Sequence, residues 1–128
     1  MSVRPNVLAI AGSDSSGCSG VQADLKALAA CDVHGLSVIT AVTAQTTRRV
    51  ASIHRVPAAQ VAAQLRAVFA DFHIAAVKIG MLASADNIDA VADGLRIDAA
   101  RNIVIDPVLV SSSGTRLLPA RALDRLRH

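Results

Sequence analysis

The stretch of sequence that decides the fold is Val7-Leu8-Ala9-Ile10-Ala11-Gly12-Ser13-Asp14-Ser15-Ser16-Gly17-Cys18-Ser19-Gly20-Val21-Gln22-Ala23-Asp24-Leu25-Lys26. Its first five residues are apolar and stop at Gly12, which predicts a short buried strand. A turn rich in glycine and serine follows over residues 12–20. From Val21 onward the apolar residues recur at helical spacing, so a helix is predicted directly after the turn. A strand, a turn and a helix in this order form the first unit of an α/β fold.

The alternation of strands and helices continues along the rest of the chain. Four further strands are predicted, at residues 36–43, 50–56, 75–79 and 102–105. Three further helices are predicted, beginning near Pro57, Ser84 and Pro119. Gly35 is the predicted C-terminal stop of the first helix. We therefore expect residues 1–128 to form one α/β domain, with a mostly parallel sheet and helices on both of its faces.

The composition is that of a globular chain and excludes several classes of protein. The 128 residues are 52% hydrophobic and 18% charged, and Phe69 and Phe72 are the only aromatic residues. Such a chain is neither disordered nor fibrous, and it lacks the aromatic surface on which nucleic-acid bases stack. All ten acidic residues are Asp, so any mechanism that needs a glutamate within this stretch is excluded.

The charge pattern argues against a nucleic-acid or membrane partner. The net charge is +3, of which +2 lies in residues 120–128, so no basic patch is left for a nucleic acid. No apolar run approaches the roughly 20 residues that span a bilayer, and the start does not have the shape of a signal peptide. Cys18 and Cys31 lack paired spacing, which predicts free thiols. We expect a cytoplasmic protein.

Ligands of parallel α/β sheets bind at the carboxyl ends of the strands. That rule singles out residues 12–20, 43–47, 80–83 and 106–114. The first of these loops is not a P-loop, because Cys18 stands where a lysine is needed. It is not a dinucleotide-binding turn either, because Asp14 stands where a glycine is needed. Its backbone N–H groups can hold an anion at the start of the next helix, and a plain glycine-rich turn is an equal alternative.

Individual polar residues near the strand ends are candidates for ligand contacts. Asp24 can accept a hydrogen bond from a ligand, or it can stabilise the start of its helix. Gln45 offers a donor and an acceptor that match an aminopyrimidine-type edge, and an ordinary polar turn is the alternative. Met81 can form an apolar wall or belong to the core. Asp106 is placed to hold Mg²⁺, with the hydroxyls of residues 111–114 donating to phosphate, although a turn explains the same residues.

Two other features of the sequence have plain explanations. Lys78 interrupts an apolar strand, and a lysine that snorkels at a sheet edge accounts for it. The four histidines have no spacing that suits metal ligands, which argues against a zinc centre.

The first stretch closely resembles the opening of the hydroxymethylpyrimidine/phosphomethylpyrimidine kinases of thiamine biosynthesis, which belong to the ribokinase-like superfamily. Four more blocks follow in family order, at residues 37–45, 61–65, 78–82, and 105–108 with 112–114. The resemblance implies an ATP- and Mg²⁺-dependent kinase of 4-amino-5-hydroxymethyl-2-methylpyrimidine and then of its monophosphate. A pyridoxal-type kinase, which shares the fold and the Asp-Pro-Val block, is an alternative. A non-catalytic remnant that only binds the pyrimidine is another.

The resemblance also implies roles for individual residues. The residues that match the pyrimidine pocket of the family are Gly12, Asp24, Val42, Gln45, Met81 and Val108. The residues that match the neighbourhood of the phosphates and Mg²⁺ are Asp106, Ser112, Ser113 and Gly114. In this alignment Gln45 contacts the aminopyrimidine edge, Val42 and Met81 pack on the ring, and Asp106 is a possible metal ligand.

The sequence departs from the family pattern in three places. Cys18 and Ser19 replace a usual Gly-Ala pair, and Thr46 and Arg49 stand where Asn and Gly are common. Family members are also considerably longer, and their second half carries an Asn-x-x-Glu magnesium motif, the nucleotide site and a catalytic anion hole. We therefore expect this chain to be the amino-terminal, substrate-binding half of such a kinase, inactive by itself. We also expect it to self-associate, as a homodimer or otherwise, through its exposed sheet edge.

Overall fold

The computed structural model describes residues 4–128. The three residues before them, on which part of the signal-peptide prediction rests, lie outside the described residues. The elements in chain order are β1 (Asn6–Asp14), α1 (Gly20–Ala30), β2 (His34–Gln45), β3 (Val50–Arg55), α2 (Ala58–Asp71), β4 (Ile74–Ile79), α3 (Ala85–Ile97), β5 (Ile103–Ile105), a 3-10 turn (Ala120–Ala122) and α4 (Leu123–Arg127). In this part of the chain the strands form one sheet in the order β3-β2-β1-β4-β5. β3 runs antiparallel to β2 and the other three pairings are parallel, as predicted.

Side chains of the central strand β1 alternate between two helical layers. Leu8 and Ile10 are fully buried in the larger core, which they share with the apolar residues of α2 and α3. Ala9 and Ala11 face the other way and pack with Val21 of α1. Burying one Leu or Ile side chain contributes roughly 1.5–3 kcal/mol, so the larger core supplies most of the stability. Helices thus cover both faces of the sheet, which confirms the predicted α/β architecture.

The end of the first helix differs from the prediction at Gly35. α1 ends at Ala30, and Asp32 rather than Gly35 adopts the left-handed conformation that follows it, with a φ of 58°. The Asp32 carboxylate is paired with Arg4 at 2.7 Å. A Cβ on Gly35 would lie 2.7 Å from Leu25 Cδ2. Gly35 is therefore needed for the close packing of α1 on β2, not as a helix stop.

The prediction that Lys78 snorkels at a sheet edge is wrong. Lys78 belongs to β4, which lies between β1 and β5. Its neighbour on β1 is Ala9, whose small side chain leaves room for the lysine stem on the face covered by α1. The ammonium reaches Asp24 of α1, with Nζ–Oδ distances of 2.9 and 3.0 Å. Lys78 therefore joins the sheet to α1 through an ion pair.

Three further boundaries differ from the sequence prediction. β1 does not stop at Gly12 but runs through it and ends at Asp14. β2 continues two residues beyond Thr43, so Gln45 is the last residue of the strand and does not lie beyond it. The segment after Pro119 begins as a 3-10 turn and continues as the short helix α4. None of the helices within residues 4–128 combines the length and the apolar character that a bilayer crossing needs.

Candidate functional site

A cavity of about 300 Å³ opens at the carboxyl ends of the parallel strands, where ligands of such sheets bind. Seven of the ten predicted site residues line it, namely Gly12, Asp24, Gln45, Met81, Asp106, Val108 and Ser112. Two wider concavities, of about 460 and 590 Å³, lie between Arg55 and Pro119 and beside the amino ends of β4 and β5. Neither of them includes a predicted residue, so the cavity at the strand ends is the candidate site.

Three predicted residues lie outside the cavity lining. The pleat of β2 turns Ala41 and Thr43 inward, with exposed fractions of 0% and 6%, and turns Val42 outward, with an exposed fraction of 49%. Ser113 and Gly114 are exposed in the turn that follows Val110. The roles that the resemblance implies for these three residues stay predictions.

The glycine-rich loop is organised around the carboxylate of Asp14. This side chain is only 3% exposed and accepts hydrogen bonds from the backbone N–H and hydroxyl groups of Ser16 and Ser19. Gly17 N donates to the Asp14 carbonyl oxygen at 3.0 Å. Anion binding by the N–H groups at the start of α1 stays a prediction, but the backbone N–H groups of Ser16, Gly17 and Ser19 are used within the protein. An Asp placed among serines in a glycine loop is the signal that could have shown this.

The hydrogen bonds to Asp14 also set its ionisation. Burial by itself raises the pKa of this carboxyl group, because it disfavours the charged form. The hydrogen bonds from Ser19 and Ser16 stabilise the carboxylate and outweigh burial, so the pKa of Asp14 lies below its ordinary value of 3.8. The loop thus holds a permanent negative charge that is satisfied internally.

Gly12 and Gly20 allow three parts of the chain to meet at the floor of the cavity. The Met81 methyl group packs directly on Gly12, where any Cβ would overlap it. A Cβ on Gly20 would overlap the Gly12 carbonyl oxygen, and Gly20 also has a φ of +61°. Close approach of the backbone therefore requires Gly20, whereas Gly12 leaves room for the flexible end of Met81. Met81 forms an apolar wall of the cavity.

Three side chains from three elements fix the backbone that carries Met81. Thr40 Oγ1 donates to the Met81 carbonyl oxygen at 2.6 Å. Asn87 Nδ2 donates to the Leu82 carbonyl oxygen at 3.0 Å, and Arg55 Nε donates to the Ala83 carbonyl oxygen at 2.9 Å. Three consecutive carbonyls are thus held by β2, α3 and β3. Sequence reasoning missed these residues, because their partners are backbone atoms distant in sequence.

The end of β2 is anchored to the glycine-rich loop. Ser15 Oγ donates to the Gln45 carbonyl oxygen and accepts from Gln45 N, both at 2.7 Å. Thr43 Oγ1 donates to the Ser13 carbonyl oxygen at 2.9 Å and lies 3.3 Å from Gln45 Oε1. These contacts hold the Gln45 backbone firmly and its side-chain amide only weakly. The amide thus stays available to a ligand in the cavity.

Asp24 and Lys78 place an ion pair in the cavity wall. Their side chains are 19% and 30% exposed, so the pair is partly shielded from water. Each oxygen of the Asp24 carboxylate accepts from the ammonium and keeps a lone pair for a second donor. The alternative role of Asp24 as a helix-start residue does not apply, because α1 has no acidic residue in its first turn.

Asp106 is the candidate metal ligand of the site. Its carboxylate lines the cavity, and none of the described residues donates a hydrogen bond or forms an ion pair with it. No group of three or more His, Cys or acidic side chains occurs together within residues 4–128. A single carboxylate beside Ser111 and Ser112 suits Mg²⁺, which protein sites often hold through one carboxylate together with substrate phosphates.

Comparison with known proteins identifies close relatives along nearly the whole chain. The chain is 48% identical over 124 residues to the hydroxymethylpyrimidine/phosphomethylpyrimidine kinase of Salmonella typhimurium, covering 97% of this chain and 47% of that protein. It is 52% identical over 119 residues to the enzyme of the same name from Rhizobium meliloti, covering 93% of this chain and 44% of that protein. The chain thus spans about half the length of these relatives.

Solved structures of similar kinases also superpose on nearly the whole chain. The phosphomethylpyrimidine kinase of Clostridium difficile superposes with a TM-score of 0.89 at 42% identity, over 96% of this chain and 53% of that one. An ADP complex of Bacillus subtilis pyridoxal kinase superposes with a TM-score of 0.85 at 31% identity, over 98% of this chain and 48% of that one. The family model described as phosphomethylpyrimidine kinase matches residues 14–128. The chain therefore belongs to the phosphomethylpyrimidine kinase family, with the ribokinase-like fold that the sequence predicted.

Proposed function

We propose that this chain forms the pyrimidine-binding part of a kinase that phosphorylates 4-amino-5-hydroxymethyl-2-methylpyrimidine and then its monophosphate. The observation that carries the proposal is the cavity at the strand ends. It collects Gly12, Asp24, Gln45, Met81 and Val108, five of the six residues predicted to surround the pyrimidine. Relatives that are 48% and 52% identical are named for this activity.

The cavity offers the kinds of contact that a small aminopyrimidine needs. Met81 and Val108 supply apolar surface for the flat face of the ring. The Gln45 amide carries both a donor and an acceptor, so it can pair with a ring nitrogen and the exocyclic amine. Asp24 can accept a hydrogen bond from the hydroxymethyl group or from the amine. One apolar wall and two polar anchors fix the orientation of such a ligand.

The proposal includes ATP as phosphoryl donor and Mg²⁺ as its metal. Phosphoryl transfer depends mainly on the alignment of the reactants and on neutralisation of the phosphate charge. Asp106, with Ser112 beside it, would hold Mg²⁺, and the metal would neutralise part of the phosphate charge. Ser113 and Gly114 belong to the same loop and extend it toward the nucleotide. No residue of this stretch is assigned to the nucleotide site or to the activation of the substrate hydroxyl.

Pyridoxal is the second candidate substrate. Pyridoxal kinases from Bacillus subtilis and Staphylococcus aureus superpose on the chain at 27–31% identity. The pyrimidine kinases are more similar, at 42–52% identity. Gln45 also favours the pyrimidine, because an aminopyrimidine presents an adjacent donor and acceptor that one amide can match.

Isothermal titration calorimetry with the pyrimidine alcohol and with pyridoxal tests the proposal. We expect the pyrimidine alcohol to bind more tightly than pyridoxal. Gln45→Ala should weaken pyrimidine binding about tenfold, because it leaves the polar edge of the ligand unpaired. Gln60→Ala, in the exposed part of α2 outside the cavity, is the matched control and should bind like the unmodified chain. Tighter binding of pyridoxal, or equal effects of the two substitutions, would contradict the proposal.

The location and assembly of the chain also belong to the proposal. We infer a cytoplasmic protein without nucleic-acid or membrane partners, supported by the nearly balanced charges of residues 1–119 and by the biosynthetic function of the relatives. We infer self-association through β5, supported by the exposure of its three apolar side chains.

A further inference from the structure

The proposed function requires one cavity to accept two ligands of different charge. The pyrimidine alcohol is neutral, whereas a phosphate monoester carries nearly two negative charges at neutral pH. The monoester therefore needs hydrogen-bond donors that the alcohol does not need, and charged donors bind phosphate most strongly.

The glycine-rich loop, residues 12–20, carries no charged donor, and most of its N–H groups are already engaged. The N–H groups of Ser16, Gly17, Cys18 and Ser19 donate to oxygen atoms of Asp14 or Ser16. The carboxylate of Asp14 fills the concave side of the loop, so a phosphate would meet a negative charge there. A charged donor for a phosphate must therefore come from another wall of the cavity.

Lys78 is the only cationic side chain among the described residues that line the cavity. Two of its ammonium protons are directed to the Asp24 carboxylate oxygens. An ammonium group has three protons, and none of the described residues other than Asp24 accepts from Lys78. A Cβ on Gly80 would lie only 3.2 Å from Nζ, so the glycine leaves space beside the ammonium at the strand end. Lys78 thus keeps one donor for a ligand in the cavity.

We propose that Lys78 binds the phosphate of the monophosphate substrate through the ammonium proton that Asp24 does not take. The inference rests on the proposed function, because it assigns a residue to the second of the two substrates. Asp24 has a separate task in this arrangement: it holds the lysine in the wall and neutralises it while the alcohol is bound. The ion pair lets the same cavity receive a neutral ligand and a dianion without rearrangement of its backbone.

The contribution of Lys78 to binding can be measured by calorimetric titration of the chain with the pyrimidine alcohol and with its monophosphate. EDTA is included to remove Mg²⁺. Lys78→Met should weaken monophosphate binding by about 10- to 100-fold, the range expected for one charged hydrogen bond. The ratio of monophosphate to alcohol affinity should fall at least tenfold. Lys26→Met is the matched control, since Lys26 is the other lysine of the chain and contacts the Gly17 carbonyl oxygen outside the cavity. It should leave that ratio unchanged within about twofold.

Each result separates this inference from the proposed function. If the unmodified chain binds neither ligand, the proposed function fails for this chain, and the inference fails with it. If it binds both ligands and Lys78→Met changes the two affinities equally, only the inference fails. A change of the ratio in Lys26→Met as large as in Lys78→Met would show a long-range charge effect and would also overturn it.

A second measurement on the unmodified chain does not depend on the folding of a variant. Reductive methylation followed by mass spectrometry reports the accessibility of the two lysines separately. The monophosphate should slow methylation of Lys78 at least threefold more than the alcohol does and should leave Lys26 unaffected. Equal protection of Lys78 by both ligands at saturation would contradict a direct contact with the phosphate.

Discussion

The two sides of the cavity differ in how completely the described chain builds them. On the side of β1 and α1, Asp14 is almost fully buried and its hydrogen bonds are made within the loop. On the side of β5, the side chains of Ile103, Val104 and Ile105 are 41%, 62% and 56% exposed, and the loop at 111–114 lies open. Both sides contribute residues to the cavity, but only the first is closed.

The two sides differ in whether their contacts join segments that are close together in the sequence. The closed side is made of one strand, one loop and one helix that are continuous in the chain, so its contacts form over few residues. The open side ends in a short apolar strand whose outer edge is unpaired within residues 4–128, and such edges pair with further strands. We infer that the wall formed by β1 and α1 is preformed, whereas the wall beside β5 is left open by residues 4–128.

The largest expected effect comes from a pair of glycine substitutions, one on each side. Gly20→Ala should lower the free energy of unfolding by about 3 kcal/mol or more, because φ is +61° and the new Cβ overlaps the Gly12 carbonyl oxygen. Gly114→Ala should cost only about 1 kcal/mol, because φ is +89° but no atom lies within 4 Å. Urea unfolding followed by circular dichroism measures both. Equal costs would remove the distinction between a closed and an open side.

The next effect compares two carboxylates. Asp14→Asn should cost about 2–3 kcal/mol, because an amide cannot accept all the hydrogen bonds that Ser16 and Ser19 donate to the carboxylate. Asp106→Asn should change the free energy of unfolding by less than about 0.5 kcal/mol, because its carboxylate is exposed. The same urea titration measures both variants. If Asp106→Asn lowered the free energy of unfolding as much as Asp14→Asn does, the Asp106 carboxylate would be a structural group and the contrast between the two sides would be wrong.

The stability of the protein should depend on pH through the ionisation of Asp14 in the glycine-rich loop. The pKa of Asp14 is lower in the folded chain than its ordinary value of 3.8, so ionised Asp14 stabilises the fold. This contribution is fully present above the ordinary pKa and is lost as the pH falls through the lower folded value. The difference in melting temperature between the unmodified chain and Asp14→Asn should therefore stay constant from pH 7 to about pH 5 and narrow below about pH 4. If this difference in melting temperature already narrowed near pH 6, a titratable group other than Asp14 would be responsible for it.

The smallest effect on stability is expected at the exposed edge. Val104→Lys should change the free energy of unfolding by less than about 0.5 kcal/mol, because Val104 is 62% exposed. It should nevertheless reduce self-association in sedimentation velocity, because a charge on an edge strand opposes pairing with another chain. Ile97→Lys, at an 82% exposed residue of α3 outside the sheet, is the control and should leave self-association unchanged. Equal behaviour of the two variants would exclude β5 as the contact.

The fold was predictable from the sequence because its signals are local. Apolar runs closed by Gly80 and Asp106 marked two strand ends, whereas β1 continues through Gly12 to Asp14. The rule that ligands bind at strand ends placed the cavity. Ser84 was predicted to cap a helix, and its Oγ accepts from Asn87 N at 3.1 Å. Gln45, Met81 and Asp106 were candidates for the same reason, since they follow directly from strand position.

Contacts between distant segments could not be predicted in the same way. The partner of Lys78 is Asp24, 54 residues away, and only the strand order brings β4 beside the face that α1 covers. Arg55 is likewise joined to Ala83, 28 residues further along the chain. The pleat of β2 likewise turns Val42 outward, with an exposed fraction of 49%, and its contact with the ring stays a prediction. Each of these depends on three-dimensional register, which residue types alone do not reveal.

Amide chemical-shift mapping by NMR, during titration with 4-amino-5-hydroxymethyl-2-methylpyrimidine, tests most directly whether this chain binds the pyrimidine in the cavity at the strand ends. The account predicts saturable shifts at Gly12, Gln45 and Met81, with little change in β5 or α4. Shifts confined to the wide concavity between Phe69 and Asn102, or no shift at any ligand concentration, would contradict it.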